Sequence, residues 1–319
     1  MHWVILGAGA LGTLLAGHLA RAGHRVQLVA RGARAAHLVA QGLSIRGLGQ
    51  FDTHCEIVQD PSSLRAADVF INTVKTCDSR IGLASLARLE PAVALSVQNG
   101  VVKEDELQAQ FGRACVLGAM ADFSGELAKD GTVLFTRNVN LHLGELAGAA
   151  GVHAATIASA IDAAGIRARA VDDIETLIWS KFSGWVALMV MAVLTRRYTG
   201  DYLQDPDVAR VVVEITRETA QIAVHRGIPL IDISPLPVAR IRLASEDDAV
   251  AAVREAGARM HAQAPEHRLS SLQDLLRGRR LELEETVGDA CRRGHALGIA
   301  MPTLTTCYRL AACVDRGLA

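Results

Sequence analysis

Short apolar runs alternate with helical patterns through the first half of the chain. The apolar runs predict strands at residues 3–6, 25–30, 55–58, 68–74 and 92–97, and a further pair of strands at 132–135 and 138–143. Helical periodicity fills two of the intervals, at residues 14–22 and 34–41. Because strands and helices that alternate in this way build parallel sheets covered on both faces, the pattern predicts a doubly wound α/β domain.

After Asp172 and Asp173 the pattern changes to long amphipathic helices. The predicted helices span residues 174–195, 207–226, 282–297 and 303–316. Prolines at 229, 235 and 237 mark a break between helices. The chain is about twice as long as a typical domain. We therefore expect residues 1–170 to form the α/β domain and residues 171–319 an all-α domain.

A glycine motif joins the first predicted strand to the first predicted helix. It reads Gly7-Ala8-Gly9-Ala10-Leu11-Gly12, a complete G-x-G-x-x-G. In such a turn the first glycine permits tight bending, the second lets the backbone approach a pyrophosphate, and the third allows close packing of helix on strand. Glycines also mark ordinary turns, but these flanks favour a cofactor site. All six residues are predicted to bind a dinucleotide in a Rossmann-type fold.

The end of the second strand indicates which dinucleotide binds. An NAD enzyme normally carries an acidic residue there to hold the ribose hydroxyls. This chain has Arg31 instead, and no acidic residue precedes Asp52. The planar guanidinium of Arg31, with Arg34 one turn further on, suits a 2'-phosphate. We therefore expect NADPH as cofactor; the alternative is that both arginines are solvated surface charges.

Composition and charge narrow the class of protein. The formal net charge of −1 over 319 residues gives no electrostatic reason to expect nucleic acid or an anionic membrane as partner. The six cysteines form no C-x-x-C pair, so no metal site is predicted. The longest apolar run, residues 182–194, is too short to span a bilayer. No secretory leader is recognisable, and we expect a cytoplasmic enzyme with a small-molecule substrate.

Lys181 interrupts an otherwise apolar helical face. With about 3.6 residues per turn, it shares this face with Trp185, Leu188 and Met189. Burying its ammonium group there costs desolvation free energy unless the group meets an anion. One interpretation is therefore that Lys181 donates a proton to a substrate or pairs with a carboxylate. The alternative is a packed stem with the ammonium in water.

Other polar residues lie where the pattern makes them candidates. Lys75 and Asn99 follow predicted strands, and open α/β sheets bind ligands at the carboxyl ends of their strands. Ser270 and Ser271 precede Asp274 at the start of a helical segment, which also fits an ordinary N-terminal cap.

Together these segments resemble the ketopantoate reductase family, whose members use NADPH to reduce a 2-oxo acid in the pantothenate pathway. The resemblance covers nearly the whole chain. Its motifs are the glycine motif with Arg31, then Thr73-Val74-Lys75, Gln98-Asn99-Gly100, Trp179-Ser180-Lys181, and the stretch from Ser270 through Asp274 to Glu282. Each motif is weak alone, but their order along the chain is jointly specific.

The resemblance implies hydride transfer to the 2-oxo carbon with Lys181 as general acid to the developing alkoxide. It further implies that Glu282 orients Lys181 or holds the substrate hydroxyl, that Ser270 binds the substrate carboxylate, and that Asp274 supports them. Asn99 is expected to position the substrate beside the nicotinamide.

Three of these residues are also expected to contact the cofactor. Lys75 would lie along the cleft that cofactor and substrate share, and Asn99 and Glu282 would also contact the cofactor. The resemblance therefore implies an NADPH-dependent 2-dehydropantoate 2-reductase.

Two positions depart from the family pattern. Members that make pantoate usually carry asparagines four and eight residues after the lysine, where this chain has Trp185 and Met189. No asparagine occurs after Asn140, so no shift of register restores them. An indole and a thioether make this wall of the pocket more apolar. We expect the reaction to persist while the preferred 2-oxo acid is less polar.

Two other readings stay open. One is a related two-domain dehydrogenase that acts on another hydroxy acid or alcohol. The other is a protein that binds NADPH without reductase chemistry, for which Lys181 together with Glu282 would have no purpose. The apolar C-terminal helices fit either a core or the interface of a homodimer.

Overall fold

The computed structural model describes residues 1–146 and 153–318. It divides into two compact units. The first consists of Met1–Asn99 and Lys103–Ile174, and the second of Gly100–Val102 and Glu175–Ala319.

A five-stranded parallel sheet is the centre of the first unit. Its strands run in the order β5-β2-β1-β6-β7, namely β1 His2–Leu6, β2 Arg25–Val29, β5 Glu56–Val58, β6 Ala66–Asn72 and β7 Glu90–Ser96. Trp3, Val4 and Ile5 are all 0% exposed. Because successive side chains of a strand point to opposite faces, both faces of the sheet are covered. The predicted α/β Rossmann-type fold is confirmed.

The helices of this unit connect the strands. They are α1 Ala10–Arg21, α2 Gly32–Gln41, α3 Thr76–Ala84, α4 Val102–Phe111 and α5 His153–Ala163. α1 begins inside the glycine motif, with Gly9 as its N-cap, and α2 follows β2 with Arg31 as its N-cap. Both connections are short, as is usual in α/β units.

The first unit contains a second sheet, in which parallel and antiparallel strand pairs both occur. Its members are β3 Leu43–Gly47, β4 Phe51–Thr53, β8 Leu117–Leu127, β9 Val133–Glu145 and β10 Ala168–Ala170. The pair of strands predicted at 132–135 and 138–143 is wrong, because β9 is one strand of 13 residues. β9 pairs antiparallel with β8, and the register of this pair shifts twice, after Asp122 and after Ser124.

His18 joins α1 to this second sheet. Its Nδ1 lies 2.9 Å from the carbonyl oxygen of Ala164, and its ring meets Phe51 and Phe135 edge-on at 4.9 and 5.5 Å. Burial lowers the pKa of this histidine, so its neutral form is favoured in the packed position.

The second unit is helical. Its helices are α6 Ile174–Thr195, α7 Thr199–Gln204, α8 Pro206–His225, α9 Val238–Leu243, α10 Glu246–Gln263, α11 Ser270–Leu276, α12 Val287–Ala296 and α13 Pro302–Arg316. Glu218 of α8 caps α13, since its two carboxylate oxygens accept the N–H groups of Thr303 and Leu304 at 2.9 and 2.8 Å. Such charge-assisted bonds satisfy N–H groups that a helix leaves unpaired.

The helix predicted at 282–297 starts later than expected. α12 begins at Val287, so Glu282 lies in irregular chain between α11 and α12. Leu281 and Leu283 are each 1% exposed, whereas Glu282 between them is half-buried. Burial at every second residue suits extended chain, and a helix would place these two leucines on nearly opposite sides.

α6 is the core helix of the second unit. It is 22 residues long and apolar enough to cross a membrane, but 83% of its most apolar window is buried inside the protein. This burial is typical of a central helix in a soluble protein. The bounds predicted from the sequence, 174–195, coincide with the observed ones.

Candidate active site

The carboxyl edge of the parallel sheet brings four sequence motifs to one side of the first unit. Leu6 is in register with Val29 of β2 and with Asn72 of β6, and Asn72 with Ser96 of β7. The glycine motif, Arg31, Lys75 and Asn99 follow these strand ends within three residues. β1 and β6 meet where the strand order reverses, which is where open α/β sheets bind ligands.

Thr73 ties the end of β6 to the glycine turn. Its N–H donates to the carbonyl of Leu6 at 2.9 Å, and its hydroxyl lies 2.9 Å from that oxygen and 2.8 Å from the carbonyl oxygen of Gly7. On the other side, Gly7 N–H donates to Val29 at 3.1 Å. The turn is therefore held from both neighbouring strands.

Two glycines of the turn have no room for a side chain. A Cβ on Gly12 would lie 1.9 Å from the carbonyl oxygen of Gly7 and 2.5 Å from the Thr73 hydroxyl. Gly7 has a φ of +107°, and a Cβ added there would lie 2.7 Å from Cγ1 of Val74.

Gly9, the second glycine of the turn, has room for a side chain, unlike Gly7 and Gly12. It is exposed, and a Cβ added there would meet nothing within 4 Å. This open space lies at the N-terminus of α1, where backbone N–H groups favour an anion. The residues present therefore fit the pyrophosphate of a dinucleotide.

Arg31 and Arg34 have different surroundings. Arg31 is exposed at the N-cap of α2, just after β2. Arg34 is half-buried, and its Nε, Nη1 and Nη2 donate to Ala8 O at 3.1 Å, Gly131 O at 2.8 Å and Thr13 Oγ1 at 3.1 Å. Three nitrogens of Arg34 are therefore engaged within the protein.

A buried amide pair supports the chain before Lys75 and Asn99. Asn72 Nδ2 donates to Gln98 Oε1 at 3.4 Å, and Gln98 Nε2 donates to the carbonyl of Val74 at 2.8 Å. Asn72 Oδ1 also accepts the N–H of Val74 at 3.3 Å. The two amides link the ends of β6 and β7, so Lys75 and Asn99, both half-buried, emerge from a hydrogen-bonded base.

Lys181 is the one break in a long buried stretch of α6. Every other residue from Ile178 to Val193 is buried, whereas Lys181 is partly exposed. The preceding Ser180 is 0% exposed, and its hydroxyl accepts the N–H of Ile231 at 3.0 Å. This bond fastens the proline-containing segment after α8 to the helix turn that carries Lys181.

Thr286 brings Met189 next to the backbone of Glu282. Its hydroxyl donates to the carbonyl oxygen of Glu282 and lies 3.3 Å from the sulfur of Met189. Thr286 is 0% exposed, Met189 1% and Trp185 8%. Both residues that replace the expected asparagines are thus buried on α6.

Ser270 and Asp274 lie on the short helix α11. Ser270 is exposed at the first position of this helix, and the N-cap, Leu269, makes no side-chain cap. The capping interpretation of this segment is therefore wrong. Asp274 is 6% exposed, and its carbonyl accepts the N–H groups of Arg277 and Arg279 at 3.1 and 2.9 Å.

Sequence reasoning missed the residues that act through others. Thr73, Asn72, Gln98 and Thr286 received no role of their own, although Thr73 and Gln98 lie inside the quoted motifs. For Thr73, Asn72 and Gln98 the available signal was a polar residue in or just after an apolar strand, because a buried polar group in a sheet needs a partner.

Comparison with protein families identifies the chain. The model described as Ketopantoate reductase PanE/ApbA matches residues 3–148, and the one described as Ketopantoate reductase PanE/ApbA C terminal matches residues 173–314. The chain belongs to the ketopantoate reductase family. It is thus an oxidoreductase of the class that acts on CH–OH groups, and its cofactor is a nicotinamide dinucleotide.

Individual relatives agree with this membership over almost the full length. The 2-dehydropantoate 2-reductase of Archaeoglobus fulgidus is 32% identical over 314 residues, covering 98% of both chains. The PanE/ApbA family ketopantoate reductase of Ralstonia eutropha superposes with a TM-score of 0.84 at 27% identity, covering 100% of this chain and 99% of that one. A D-mandelate dehydrogenase solved with NADH and anilino(oxo)acetate has a TM-score of 0.85 over 100% and 99% of the two chains, but at 19% identity it shows a shared fold alone.

Gly12→Ala is expected to damage both the fold and cofactor binding of this ketopantoate reductase family member. The added Cβ would lie 1.9 Å from a backbone oxygen, which cannot move without displacing β1 or α1. We expect a loss of several kcal/mol in unfolding free energy, as for other overpacked sites, measured by chemical denaturation.

Gly9→Ala is the matched control. Gly9 has a φ of −73° and open space around it, so alanine fits the backbone and the denaturation midpoint should stay unchanged. The new methyl group would still intrude on the pyrophosphate, and nicotinamide cofactor titrations should show weaker binding. Equal stability of the two variants would contradict the assigned packing.

Proposed function

We propose that this chain reduces a 2-oxo acid to the 2-hydroxy acid with NADPH, and that 2-dehydropantoate is the first substrate to test. The observation that carries the proposal is the partly exposed Lys181 within the buried stretch of α6. The full-length similarity to a 2-dehydropantoate 2-reductase supports the reaction class. The six free cysteines suit a reducing cytoplasm.

When bound, NADPH would supply the hydride that the 2-oxo carbon receives. As that carbon is reduced, its oxygen gains negative charge, and the ammonium of Lys181 donates the proton that completes the hydroxyl group. Glu282 orients Lys181 or accepts the hydroxyl of the substrate. The Ser270 hydroxyl donates to the substrate carboxylate, and Asp274 supports this segment.

The residues that we assign to the cofactor lie in the first unit. Arg31 binds the 2'-phosphate as a planar set of donors, while Lys75 and Asn99 hold the substrate and the nicotinamide ribose at the carboxyl ends of β6 and β7. The stretch from Met1 to Phe51 contains no acidic residue, so no carboxylate there opposes a phosphate. These features favour NADPH over NADH.

A second candidate is a less polar 2-oxo acid. Trp185 and Met189 are 8% and 1% exposed, and neither offers the amide donors and acceptors that would hold a buried substrate hydroxyl. Transfer from water to a site lined by these two side chains costs an apolar substrate less free energy than it costs ketopantoate, because the hydroxyl of ketopantoate loses its hydrogen bonds to water.

A turnover assay that follows NADPH absorbance tests the reaction and the substrate together. The panel contains ketopantoate, its analogue without the hydroxyl group, branched aliphatic 2-oxo acids and an aryl 2-oxo acid, each with NADPH and with NADH. Higher kcat/KM for the analogue than for ketopantoate supports the second candidate. Tight NADPH binding without turnover of any carbonyl compound would overturn the reductase proposal and leave a cofactor-binding protein.

Lys181→Met should lower kcat by about 10²- to 10⁴-fold, the usual contribution of a positioned general acid. Methionine keeps the apolar stem, so the binding of NADPH, measured by fluorescence titration, should change little. Lys129→Met removes an exposed lysine of the β8–β9 turn and is the control. A decrease in kcat of only a few fold in Lys181→Met would contradict the general-acid role.

Arg31→Ala should raise the Michaelis constant for NADPH about tenfold or more, because a charge-assisted bond to phosphate is lost. The constant for NADH should stay the same, since NADH lacks the 2'-phosphate. Arg25→Ala, exposed at the other end of β2, is the control. An unchanged ratio of the two constants in Arg31→Ala would contradict the assignment.

A further inference from the structure

We propose that Arg34 is a positioning residue for the cofactor pyrophosphate, which acts by fixing the orientation of the peptide between Ala8 and Gly9. The inference rests on the proposed dinucleotide site, and it assigns to Arg34 a role different from that of Arg31. Arg34 donates a hydrogen bond to the backbone of the glycine turn and does not bind the ligand directly.

The carbonyl oxygen of Ala8 receives two donors. Arg34 Nε donates to it at 3.1 Å, and the hydroxyl of Thr13 donates to it at 3.3 Å. Ala8 is 9% exposed, so water has little access to this oxygen. The two donors come from α2 and α1, and they hold the oxygen toward the interior of the unit.

The planarity of the peptide transmits this constraint to Gly9. In a trans peptide the C=O of one residue and the N–H of the next point in opposite directions within one plane. Holding the Ala8 oxygen inward therefore turns the Gly9 N–H outward. Gly9 is exposed beside open space at the N-terminus of α1, where a pyrophosphate oxygen can accept that N–H.

The rest of the guanidinium is anchored so that it cannot leave this position freely. Nη1 donates to the carbonyl of Gly131 in the β8–β9 turn at 2.8 Å, and Nη2 to the Thr13 hydroxyl at 3.1 Å. The hydroxyl of Thr13 thus accepts from Arg34 and donates to Ala8, which closes a small ring of hydrogen bonds. Reaching for a 2'-phosphate would break three bonds that burial makes costly to lose.

This geometry separates two effects on binding. The pyrophosphate is common to NADPH and NADH, so a residue that orients Gly9 N–H affects both cofactors equally. A residue that binds the 2'-phosphate affects NADPH alone. The ratio of the two dissociation constants therefore distinguishes positioning by Arg34 from direct phosphate contact, and it does so without any measurement of turnover.

The test uses Arg34→Met, which keeps the stem and removes the donors, and Thr13→Val, which removes the second donor to Ala8 without changing charge. Dissociation constants are measured by titration for NADPH, NADH, ADP-ribose and adenosine 2'-monophosphate. Arg31→Ala and Arg25→Met serve as comparison variants. Thermal unfolding of each free protein checks that it is folded.

We expect Arg34→Met to raise the dissociation constants of NADPH, NADH and ADP-ribose by the same factor, about tenfold. The dissociation constant of adenosine 2'-monophosphate should change by less than about twofold. Thr13→Val should give the same equal loss, smaller in size. Arg31→Ala should show the reverse pattern, with NADPH and adenosine 2'-monophosphate weakened and the other two unchanged.

Three results would overturn the proposal. A loss confined to NADPH and adenosine 2'-monophosphate in Arg34→Met would make Arg34 a phosphate ligand. Unchanged binding in both Arg34→Met and Thr13→Val would leave the ring a purely structural feature. A loss in Arg34→Met with no loss in Thr13→Val would point to charge rather than peptide orientation. None of these depends on which 2-oxo acid is reduced, so a negative substrate panel leaves this test intact.

Discussion

The first unit depends on the close approach of α1 to the end of β1. Gly12 packs directly against the carbonyl of Gly7, and the hydroxyl of Thr73, the residue after β6, donates to the same carbonyl. With no side chain at residue 12, the helix can start beside the strand and present its N–H groups where the strand order reverses. The parallel register then sets the ends of the neighbouring strands in a row around that helix start.

The strands of the parallel sheet could be predicted from the sequence, and several strands of the second sheet could not. The predicted bounds of β1, β2, β6 and β7 lie within two residues of the observed ones, because a strand covered on both faces is a continuous apolar run. β8 was missed since its 11 residues include no valine, isoleucine or threonine, the residues that mark strands most clearly. Its stability comes from pairing along β9, which no local pattern reveals.

The candidate site shows the same division. Residues such as Asn99 and Lys181 stand out along the chain because the first comes soon after an apolar strand and the second interrupts an apolar helix. Arg31 and Arg34 lie one turn apart and look alike in sequence, yet one is exposed and the other is bonded to three parts of the first unit. Hydrogen-bond partners that are distant in sequence decide this difference, as they do for Thr286.

The contact between Thr286 and Met189 constrains how this protein can evolve. One hydroxyl group lies against the side chain that makes the wall of α6 apolar and also against the backbone of Glu282. An exchange at residue 189 that offered a new hydrogen-bond acceptor would compete for that hydroxyl and release the carbonyl of Glu282. Exchanges at residue 189 should therefore be epistatic with residue 286, and lineages that exchange one are expected to exchange the other.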